Sequence, residues 1–406
     1  MRRRRLALAL GALVALALVA GLAHRRELRR IVFMATMFRG VDETASFADM
    51  RSIFPVREVR TASPTELPRA ARSLALPETY AWQGEARDSQ ALLDETETSG
   101  LLVLHDGEIV HERYALTGGP DVRWISWSVA KSFVSALVGI AVAEGHVRSI
   151  EDPISDYVPE LVGSAYDGVA IRDVLQMSSG ASWDEDYGAL DSDITRFGAT
   201  MALGGSMDEF AATLVREHEP GTYNRYNSID TQVLGMLLVR ATGRTLSGYL
   251  EEKVWQPLHM EHDAYWLLDD SGMELALGGL NATLRDYARF GELYRNAGRW
   301  HGREVVPEAW ARASVRADAP HLQPGDNPAS EWVLGYGYQW WLPGEVEGEF
   351  SAIGVYNQFI YVSPRRGVVV AKTSASRAYG RDETTDRELE TLAFFRAVAE
   401  AADADD

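Results

Sequence analysis

The sequence predicts an α/β protein of the α+β type, with one antiparallel sheet built from both chain ends, helices packed on it and a helical subdomain inserted between. Strand-like patterns occur near both ends of the chain, at residues 101–105, 108–114, 336–341, 358–362 and 367–371. Helical patterns fill residues 150–300, and a last helical stretch covers about 382–401. Strands at both ends with helices between them are typical of this fold class.

The chain begins with an apolar run, residues 6–23, set between two clusters of four arginines. A basic start followed by such a run is typical of signal peptides, and its length approaches the ~20 residues that span a bilayer as a helix. We therefore expect residues 1–30 to be a signal-anchor or signal peptide. The rest would then be exported or membrane-anchored, with its domain outside the cytoplasm on the periplasmic side. Residues 31–75 lack clean periodicity and are expected to be a connecting arm to a domain over 76–406.

The next elements follow from turn and capping signals. Asp106-Gly107 between two apolar-rich runs predicts a β-hairpin. A helix over residues 128–144 is apolar almost all round, which indicates that it is buried. Gly145 would end this helix. Further helices are predicted within the middle region, at residues 228–241, 247–254 and 284–296.

Composition excludes several classes of function. The net charge is −19, and residues 1–30 hold eight Arg and one Glu, so the remaining chain carries −26. A body this acidic repels phosphate backbones, so no nucleic-acid binding is expected. The chain has no Cys, which rules out disulfides, thiolate metal sites and a cysteine nucleophile. No H-E-x-x-H and no G-x-S-x-G occurs, so neither a zinc hydrolase nor an α/β-hydrolase is favoured, and no metal or cofactor is expected.

An S-x-x-K motif, Ser128-Val129-Ala130-Lys131, starts the apolar helix. Positions i and i+3 share a helix face, and free N–H groups at a helix start favour a developing anion. A lysine can take the serine proton if burial lowers its pKa, whereas arginine cannot. Only three of the 40 basic residues are lysines, so a lysine in an apolar helix indicates a function. The alternative is a chance motif in which Lys131 extends to solvent.

A second element precedes the helix predicted at residues 228–241. Residues 220–228 end in Tyr226-Asn227-Ser228. A Tyr phenol can share the proton relay with Lys in serine hydrolases that use S-x-x-K, and Tyr226 fits that role. Tyr223 is the nearby competitor, and a packing role in the loop is the open alternative for Tyr226.

Together these elements resemble the serine β-lactamase and penicillin-binding-protein superfamily. The resemblance is closest to class C β-lactamases, the related esterases and the 6-aminohexanoate-dimer hydrolase branch. It extends over about residues 76–400 and includes residues 127–132, 175–180, 220–235, 255–258, 279–283 and 286–291. It implies that Ser128 is the acylated nucleophile, that Lys131 is its base and that Tyr226 moves protons to and from the leaving group.

The resemblance also implies which residues contact the substrate. The backbone N–H groups of Ser128 and Val355 would form the oxyanion hole. Asp184-Glu185-Asp186-Tyr187 and Asn281 resemble positions that line the substrate site in the 6-aminohexanoate-dimer hydrolase branch. Of these, Tyr187 and Asn281 are taken as substrate-binding residues. A packing role for Tyr187 in its loop, and a turn or helix-cap role for Asn281, are equally open.

Two departures from the family pattern bear on the substrate. The Y-x-N motif has Ser228 where Asn is usual, and Ala352-Ile353-Gly354 stands where K-T-G is expected. Gly354 still permits close approach of the substrate to the backbone, but the Lys that helps hold a substrate carboxylate is missing. Lys372 follows a later strand and does not replace it. A small-molecule ester or linear amide is therefore favoured as the substrate.

The predicted function is a serine hydrolase that forms an acyl-enzyme on Ser128. The alternatives within the fold are a β-lactamase or a D-alanyl-D-alanine peptidase. The alternative from another class is a catalytically silent binding or sensor protein. The presence of all three of Ser128, Lys131 and Tyr226 argues against a catalytically inactive protein. The natural substrate and the oligomeric state stay open.

Overall fold

A computed structural model describes residues 25–381 and 387–404 of the chain. Its strands are β1 (Val56–Val59), β2 (Thr79–Trp82), β3 (Glu85–Asp88), β4 (Thr98–His105), β5 (Glu108–Tyr114), β6 (Trp124–Ile125), β7 (Ala264–Leu267), β8 (Leu280–Ala282), β9 (Arg299–Trp300), β10 (Arg303–Glu304), β11 (Gly335–Tyr336), β12 (Trp341–Leu342), β13 (Phe350–Gly354), β14 (Gln358–Ser363) and β15 (Val368–Ser374). The hairpin predicted around Asp106-Gly107 is confirmed as β4 and β5.

The described α-helices lie before, between and after these strands, and half of them fall between β6 and β7. They are α1 (Arg25–Thr36), α2 (Thr44–Ala48), α3 (Ser89–Glu95), α4 (Ala130–Ala143), α5 (Ile171–Leu175), α6 (Asp193–Ala202), α7 (Met207–Ala211), α8 (Ser228–Thr242), α9 (Leu246–Leu250), α10 (Leu284–Arg295), α11 (Glu308–Ser314) and α12 (Glu388–Ala404). A single wide π-helical turn, Glu251–Trp255, continues α9. The last helix was predicted to begin near residue 382 and begins at Glu388; residues 382–386 lie outside the described ranges.

The main sheet joins the two ends of the domain. Its seven strands run in the order β11-β12-β13-β14-β15-β4-β5, and every neighbouring pair is antiparallel. Strands β4 and β5 come from the N-terminal part of the domain, and the other five come from its C-terminal part. The predicted fold class, an antiparallel sheet from both ends with helices between, is therefore confirmed.

Both faces of this sheet are buried. Along β15, Val369 and Ala371 belong to one apolar core, whereas Val368 and Val370 belong to a second core on the opposite face. Successive side chains of a strand point to opposite faces, so a strand covered on both sides must be apolar throughout. The continuous run of residues 368–371 is therefore what a central strand in a three-layer arrangement requires.

Helices cover the two faces. Helix α10 packs on β4, β14 and β15, and α12 packs on β14 and β15 from the opposite side. Gly291 of α10 makes the first contact possible, because a methyl group there would lie 2.6 Å from Val369 and 2.7 Å from Ile360. Helix α4 lies in the same core as α10, and residues 130–141 are all buried, as its apolar composition predicted.

Two predictions about strands are wrong. Residues 336–341 are not one strand but the end of β11, a tight turn and the start of β12. Gln339 adopts a positive φ of 62° in this turn, and its backbone oxygen accepts a hydrogen bond from Ser132 of α4 at 2.7 Å. Strands within the middle region, β7 and β8, were not expected, because short strands buried on both faces carry no alternating pattern.

The segment before residue 76 shares the core of the domain. Strand β1 pairs with β7 in a second sheet of order β1-β7-β8-β6, and Phe33 and Phe47 belong to the same apolar core as α4. The boundary predicted at residue 75 therefore does not coincide with a break in packing. No helix within residues 25–381 and 387–404 has the length and hydropathy needed to cross a bilayer. The predicted anchor, residues 6–23, lies outside the described residues.

Candidate active site

Ser128 lies in a one-turn 3₁₀ helix, Trp127–Val129, that leads into α4. Trp127 has a φ of 44°, a left-handed conformation that costs a non-glycine residue about 1–3 kcal/mol. Its indole is 9% exposed and packs edge-on against Phe47, with ring centroids 5.4 Å apart. This packing holds the strained turn, so the Ser128 hydroxyl is presented at a fixed position.

The side chain of Lys131 reaches back over one helical turn to Ser128. Its Nζ donates hydrogen bonds to Ser128 Oγ at 2.9 Å, to Ser228 Oγ at 3.1 Å and to the Leu277 carbonyl at 2.9 Å. Lys131 is only 2% exposed. The alternative in which this side chain extends to solvent is therefore excluded, and every donor of the amino group has a partner.

Burial lowers the pKa of Lys131 from its usual value near 10.5 to about 7. The negative charge of Glu185 opposes this shift, and so would a charge on Asp230. However, burial also raises the pKa of Asp230 to about 8, which leaves that carboxyl largely protonated at neutral pH. Glu185 is therefore the main counter-charge, and a substantial fraction of Lys131 is a neutral amine near pH 7.

Tyr226 faces the same pair from the loop before α8. Asn227 caps this helix, because its Oδ1 accepts a hydrogen bond from the Ile229 N–H at 2.9 Å. Lys131 Nζ lies 5.2 Å from the centroid of the Tyr226 ring, and the phenol hydrogen-bonds with Ser128 and Ser228. Burial, aided by the charge of Glu185, raises the pKa of Tyr226 well above its ordinary value. The phenol is therefore neutral at physiological pH and can donate a proton.

Ser228 and Glu185 complete the site, and neither was predicted to be a site residue from the sequence. The Ser228 hydroxyl donates to Glu185 Oε1 at 2.6 Å, and its backbone N–H donates to Oε2 at 3.1 Å. A chain of hydrogen bonds thus runs from Lys131 through Ser228 to Glu185. Ser228 was noted only as a departure from Y-x-N, and Glu185 belongs to the segment 184–187, from which only Tyr187 was taken as a substrate-binding residue. The signal available in the sequence was Ser228 itself, because it places a hydroxyl where the family usually has an Asn side-chain amide.

Strand β13 lies directly against the one-turn helix Trp127–Val129 that carries Ser128, called the serine turn below. A methyl group on Gly354 would be 2.7 Å from the Ser126 carbonyl oxygen and 3.0 Å from the Ser128 nitrogen. Both neighbours are backbone atoms that cannot move aside. Only glycine therefore allows this approach, and the next residue, Val355, lines the space beside Ser128.

The structure places the residues around the missing K-T-G lysine as expected. Residues 352–354 are the end of β13, the strand that flanks Ser128. Lys372 lies on β15, two strands away, where its Nζ donates to Ser374 Oγ at 2.5 Å and to the Asn357 carbonyl at 3.3 Å. Lys372 is 1% exposed and does not line either cavity next to Ser128. It cannot replace the missing cation.

The two remaining predicted substrate residues differ in their surroundings. Tyr187 lines the space beside Ser128, donates its hydroxyl to Glu185 and packs on Phe38 with ring centroids 4.5 Å apart. Asn281 is fully buried on β8, donates to the Gly279 carbonyl at 2.9 Å and does not line either cavity at Ser128. Pairing of β8 with both β6 and β7 directs Asn281 into the protein, and Thr283 caps α10 instead.

Two cavities meet at Ser128. One, of about 400 Å³, is walled mainly by apolar side chains of α1 and α6. The other, of about 890 Å³, lies on the side of Tyr226. Among the described residues, Ser128, Tyr187 and Val355 line both. A substrate bound at Ser128 therefore has two chemically different spaces for its two halves.

The larger cavity is acidic. Its carboxylates are Asp184, Glu185, Asp186, Asp193, Glu217, Glu331 and Glu388. Arg225 and Arg381 also line it, and Arg225 forms ion pairs with Glu217 at 2.5 Å and Glu331 at 2.6 Å. The cavity thus carries an excess of negative charge. No group of three or more His, Asp or Glu side chains within the described ranges is arranged to hold a metal ion.

The antiparallel sheet, the serine at the start of a buried helix and the lysine one turn later define a serine hydrolase of the β-lactamase type. Residues 89–394 match the family described as Beta-lactamase, and the chain belongs to this family. It is 31% identical to a 6-aminohexanoate-dimer hydrolase from Paenarthrobacter ureafaciens over 296 residues, which are 71% of this chain and 75% of the relative.

Solved structures show the same fold. A Bacillus anthracis protein provisionally described as a 6-aminohexanoate-dimer hydrolase superposes with a TM-score of 0.78 at 22% identity, covering 88% of this chain and 94% of the other. A D-stereospecific amidohydrolase from Streptomyces gives a TM-score of 0.56 at 18% identity, covering 75% of this chain and 98% of the other. These likenesses show that the chain has the fold of both proteins.

The contact between Gly354 and the serine turn generates a prediction. Gly354→Ala should lower kcat/KM by about 10²- to 10³-fold, the usual effect of losing one oxyanion donor, because the added methyl pushes β13 away from Ser128. The rate is measured by steady-state hydrolysis of p-nitrophenyl acetate. Gly119→Ala is the control, since its methyl would lie 3.3 Å from the Val122 side chain. Equal activity of the two variants would contradict the assignment of the Val355 N–H, which follows Gly354, to the oxyanion hole.

Proposed function

We propose that this protein hydrolyses an ester or a linear amide through an acyl-enzyme on Ser128. The observation that carries the proposal is the buried Lys131 amino group, 2.9 Å from Ser128 Oγ. A serine hydroxyl becomes a good nucleophile when a neighbouring base takes its proton. A lysine whose pKa is about 7 is such a base at neutral pH.

The protons balance in both half-reactions, acylation of Ser128 and hydrolysis of the acyl-enzyme. Ser128 Oγ bonds to the substrate carbonyl carbon while Lys131 Nζ takes the hydroxyl proton. The carbonyl oxygen becomes negative and accepts hydrogen bonds from the backbone N–H groups of Ser128 and Val355. The bond to the leaving group then breaks, and Tyr226 delivers a proton to the departing atom and is reprotonated by Lys131. Water attacks the acyl-enzyme by the reverse route and releases the carboxylic acid.

The charge of the site supports this substrate class over β-lactams and peptidoglycan peptides. Those substrates carry a carboxylate that the K-T-G lysine helps to hold, and here Ala352 to Gly354 offer no cation. The adjoining cavity has seven carboxylates against two arginines, and like charges repel a carboxylate. The similarity to a 6-aminohexanoate-dimer hydrolase supports a linear amide as the substrate type.

A substrate panel tests the proposal. We expect short p-nitrophenyl esters or short linear amides to be hydrolysed at least tenfold more efficiently than nitrocefin, because a lost charge-assisted hydrogen bond costs about 1.5–3 kcal/mol. Ser128→Ala is the matched blank, and it should lower turnover by several orders of magnitude while the circular dichroism spectrum is kept. Turnover that persists in Ser128→Ala, or nitrocefin turnover equal to that of the best ester, would contradict the proposal.

The pH dependence tests the role of Lys131. The base must be neutral, so kcat/KM should fall about tenfold per pH unit below the Lys131 pKa of about 7 and be flat above it. Lys131→Arg keeps a cation that cannot lose its proton, and it should lose about 10²- to 10⁴-fold in rate at every pH. Retention of wild-type activity by Lys131→Arg would show that Lys131 is not the base.

Glu185→Gln refines this test. The Glu185 charge raises the pKa of Lys131, so its removal should move the acidic limb of the profile to lower pH. The glutamine oxygen can still accept the Ser228 hydroxyl. Asp186→Asn is the matched control, since it removes another carboxylate of the same cavity. If the acidic limb of the pH profile of kcat/KM stays in place in Glu185→Gln, or moves equally in both variants, Glu185 has no specific effect on the pKa of Lys131.

We also propose that residues 1–30 direct the enzyme out of the cytoplasm and hold it at the membrane. The support is the apolar run of residues 6–23 between arginine clusters. Cell fractionation with N-terminal sequencing should find the intact start in the membrane fraction. A new N-terminus near His24 in a soluble extracytoplasmic fraction would indicate a cleaved signal peptide. A soluble cytoplasmic enzyme would contradict both the export and the membrane attachment.

A further inference from the structure

The apolar cavity beside Ser128 is larger than a short acyl group requires. At about 400 Å³ it falls within the usual size range of small-molecule sites. A group of the size of water fills about 30 Å³, so the cavity has room for roughly a dozen methylenes. An acetyl group would fill only a small part of it. The cavity therefore matches a much longer hydrocarbon chain.

The walls of this cavity are suited to hydrocarbon. Phe33 and Met37, in and just after α1, and Phe197 and Met201 of α6 line it, and each is at most 9% exposed. Methionine side chains are flexible and adapt to irregular apolar ligands. Apart from Ser128 and Ser228, its polar lining residues are Arg39, Thr195 and Tyr187, and the Tyr187 hydroxyl already donates to Glu185. Burying a polar group here would therefore be costly, whereas burying methylenes is favourable.

The mouth of the cavity exposes large apolar side chains to solvent. Ile31, Leu190 and Leu203 line the cavity and are 40%, 75% and 77% exposed. They come from three separate places, namely α1, the loop before α6 and the end of α6. Exposed apolar groups that converge on one opening indicate a binding site for an apolar ligand. A chain can therefore enter here and reach Ser128 without crossing the acidic cavity.

The cavity wall formed by α1 is fixed in place. Arg30 is 6% exposed, and its Nε donates to the Ala202 carbonyl at 3.1 Å while its Nη1 donates to Asp270 at 2.5 Å. These bonds tie α1 to the end of α6 on the other side of the cavity. The cavity is consequently preformed, and a ligand need not order this helix on binding.

The position of Tyr226 orients the substrate. Among the described residues, Tyr226 lines the acidic cavity and not the apolar one. If Tyr226 delivers the proton to the departing atom, the leaving group must lie on its side of Ser128. The acyl half then lies on the opposite side, in the apolar cavity.

We propose, on the basis of the function proposed above, that the apolar cavity binds the acyl chain of the substrate. The substrate class is an ester or amide of a carboxylic acid of about eight to twelve carbons. Its leaving group, in the acidic cavity, is neutral or cationic. The α1 helix, which precedes the β-lactamase-family region of residues 89–394, is thus a determinant of acyl-chain specificity.

A chain-length series tests this assignment. The full-length protein is assayed without detergent on p-nitrophenyl esters from acetate to decanoate, so that only the acyl half changes. We expect kcat/KM to rise about twofold to fourfold per methylene between butyrate and octanoate, as each methylene leaves water. Each rate is taken as the difference from Ser128→Ala.

Ala35→Trp is the critical variant, because Ala35 lines the cavity near its mouth and is itself exposed. It should lower the octanoate-to-acetate ratio of kcat/KM at least tenfold. Both esters are measured on one sample, so the ratio does not depend on how much of the variant is folded. Val32→Trp is the matched control on the same helix, since Val32 is 61% exposed and outside the cavity lining. It should keep the wild-type ratio.

The possible failures can be told apart. If no ester is hydrolysed in a Ser128-dependent way, the proposed function itself is wrong. If acetate and butyrate are hydrolysed but the ratio is flat, or falls equally in both tryptophan variants, only the acyl-chain proposal is overturned. A parallel comparison of octyl acetate with butyl acetate varies the leaving group alone. If Ala35→Trp lowers that ratio and leaves the octanoate-to-acetate ratio unchanged, the cavity binds the leaving group and the proposal is overturned.

Discussion

The site depends on the complete burial of one amino group. Lys131 Nζ has hydrogen-bond partners on the serine turn, on α8 and in the chain just before β8, three parts of the sequence that lie far apart. An ammonium ion in such surroundings loses its hydration, which is why the pKa of Lys131 falls to about 7. The fold therefore keeps a partly neutral amine next to Ser128, and the elements around it exclude water from that amine.

Two chemically opposite surfaces meet at this buried pair. On one side, the loop that carries Glu185 and Tyr187 contributes to a wide acidic cavity. On the other, α1 and α6 enclose an apolar cavity. The end of strand β13 lines the acidic cavity, and its glycine brings the backbone against the turn that carries Ser128. In the proposed function, this asymmetry gives each half of the substrate its own environment, and selectivity arises from the cavity walls.

Much of the fold and part of the site could be predicted, because the deciding signals are local. The Asp106-Gly107 turn predicted the β4–β5 hairpin, and the apolar composition of residues 128–144 predicted the burial of α4. The relation of Ser128 to Lys131 also depends only on the i to i+3 geometry of one helix. Ser228 and Glu185 could not be selected in this way, because they are 43 residues apart in the sequence and meet only through the packing of α8 against the loop before α6.

By itself, then, the sequence determined the strands β4, β5, β14 and β15, the largely helical middle and the Ser128–Lys131 pair, since each follows from a short-range pattern. Only the tertiary structure decided that β7 and β8 join β1 in a second sheet and that Asn281 turns away from the cavities. It also decided that Phe33, Phe47 and Val59 belong to the core of the domain, and that α1 walls a cavity at Ser128. The physical reason is that burial and cavity shape arise from contacts between distant segments, which no periodicity within one segment encodes.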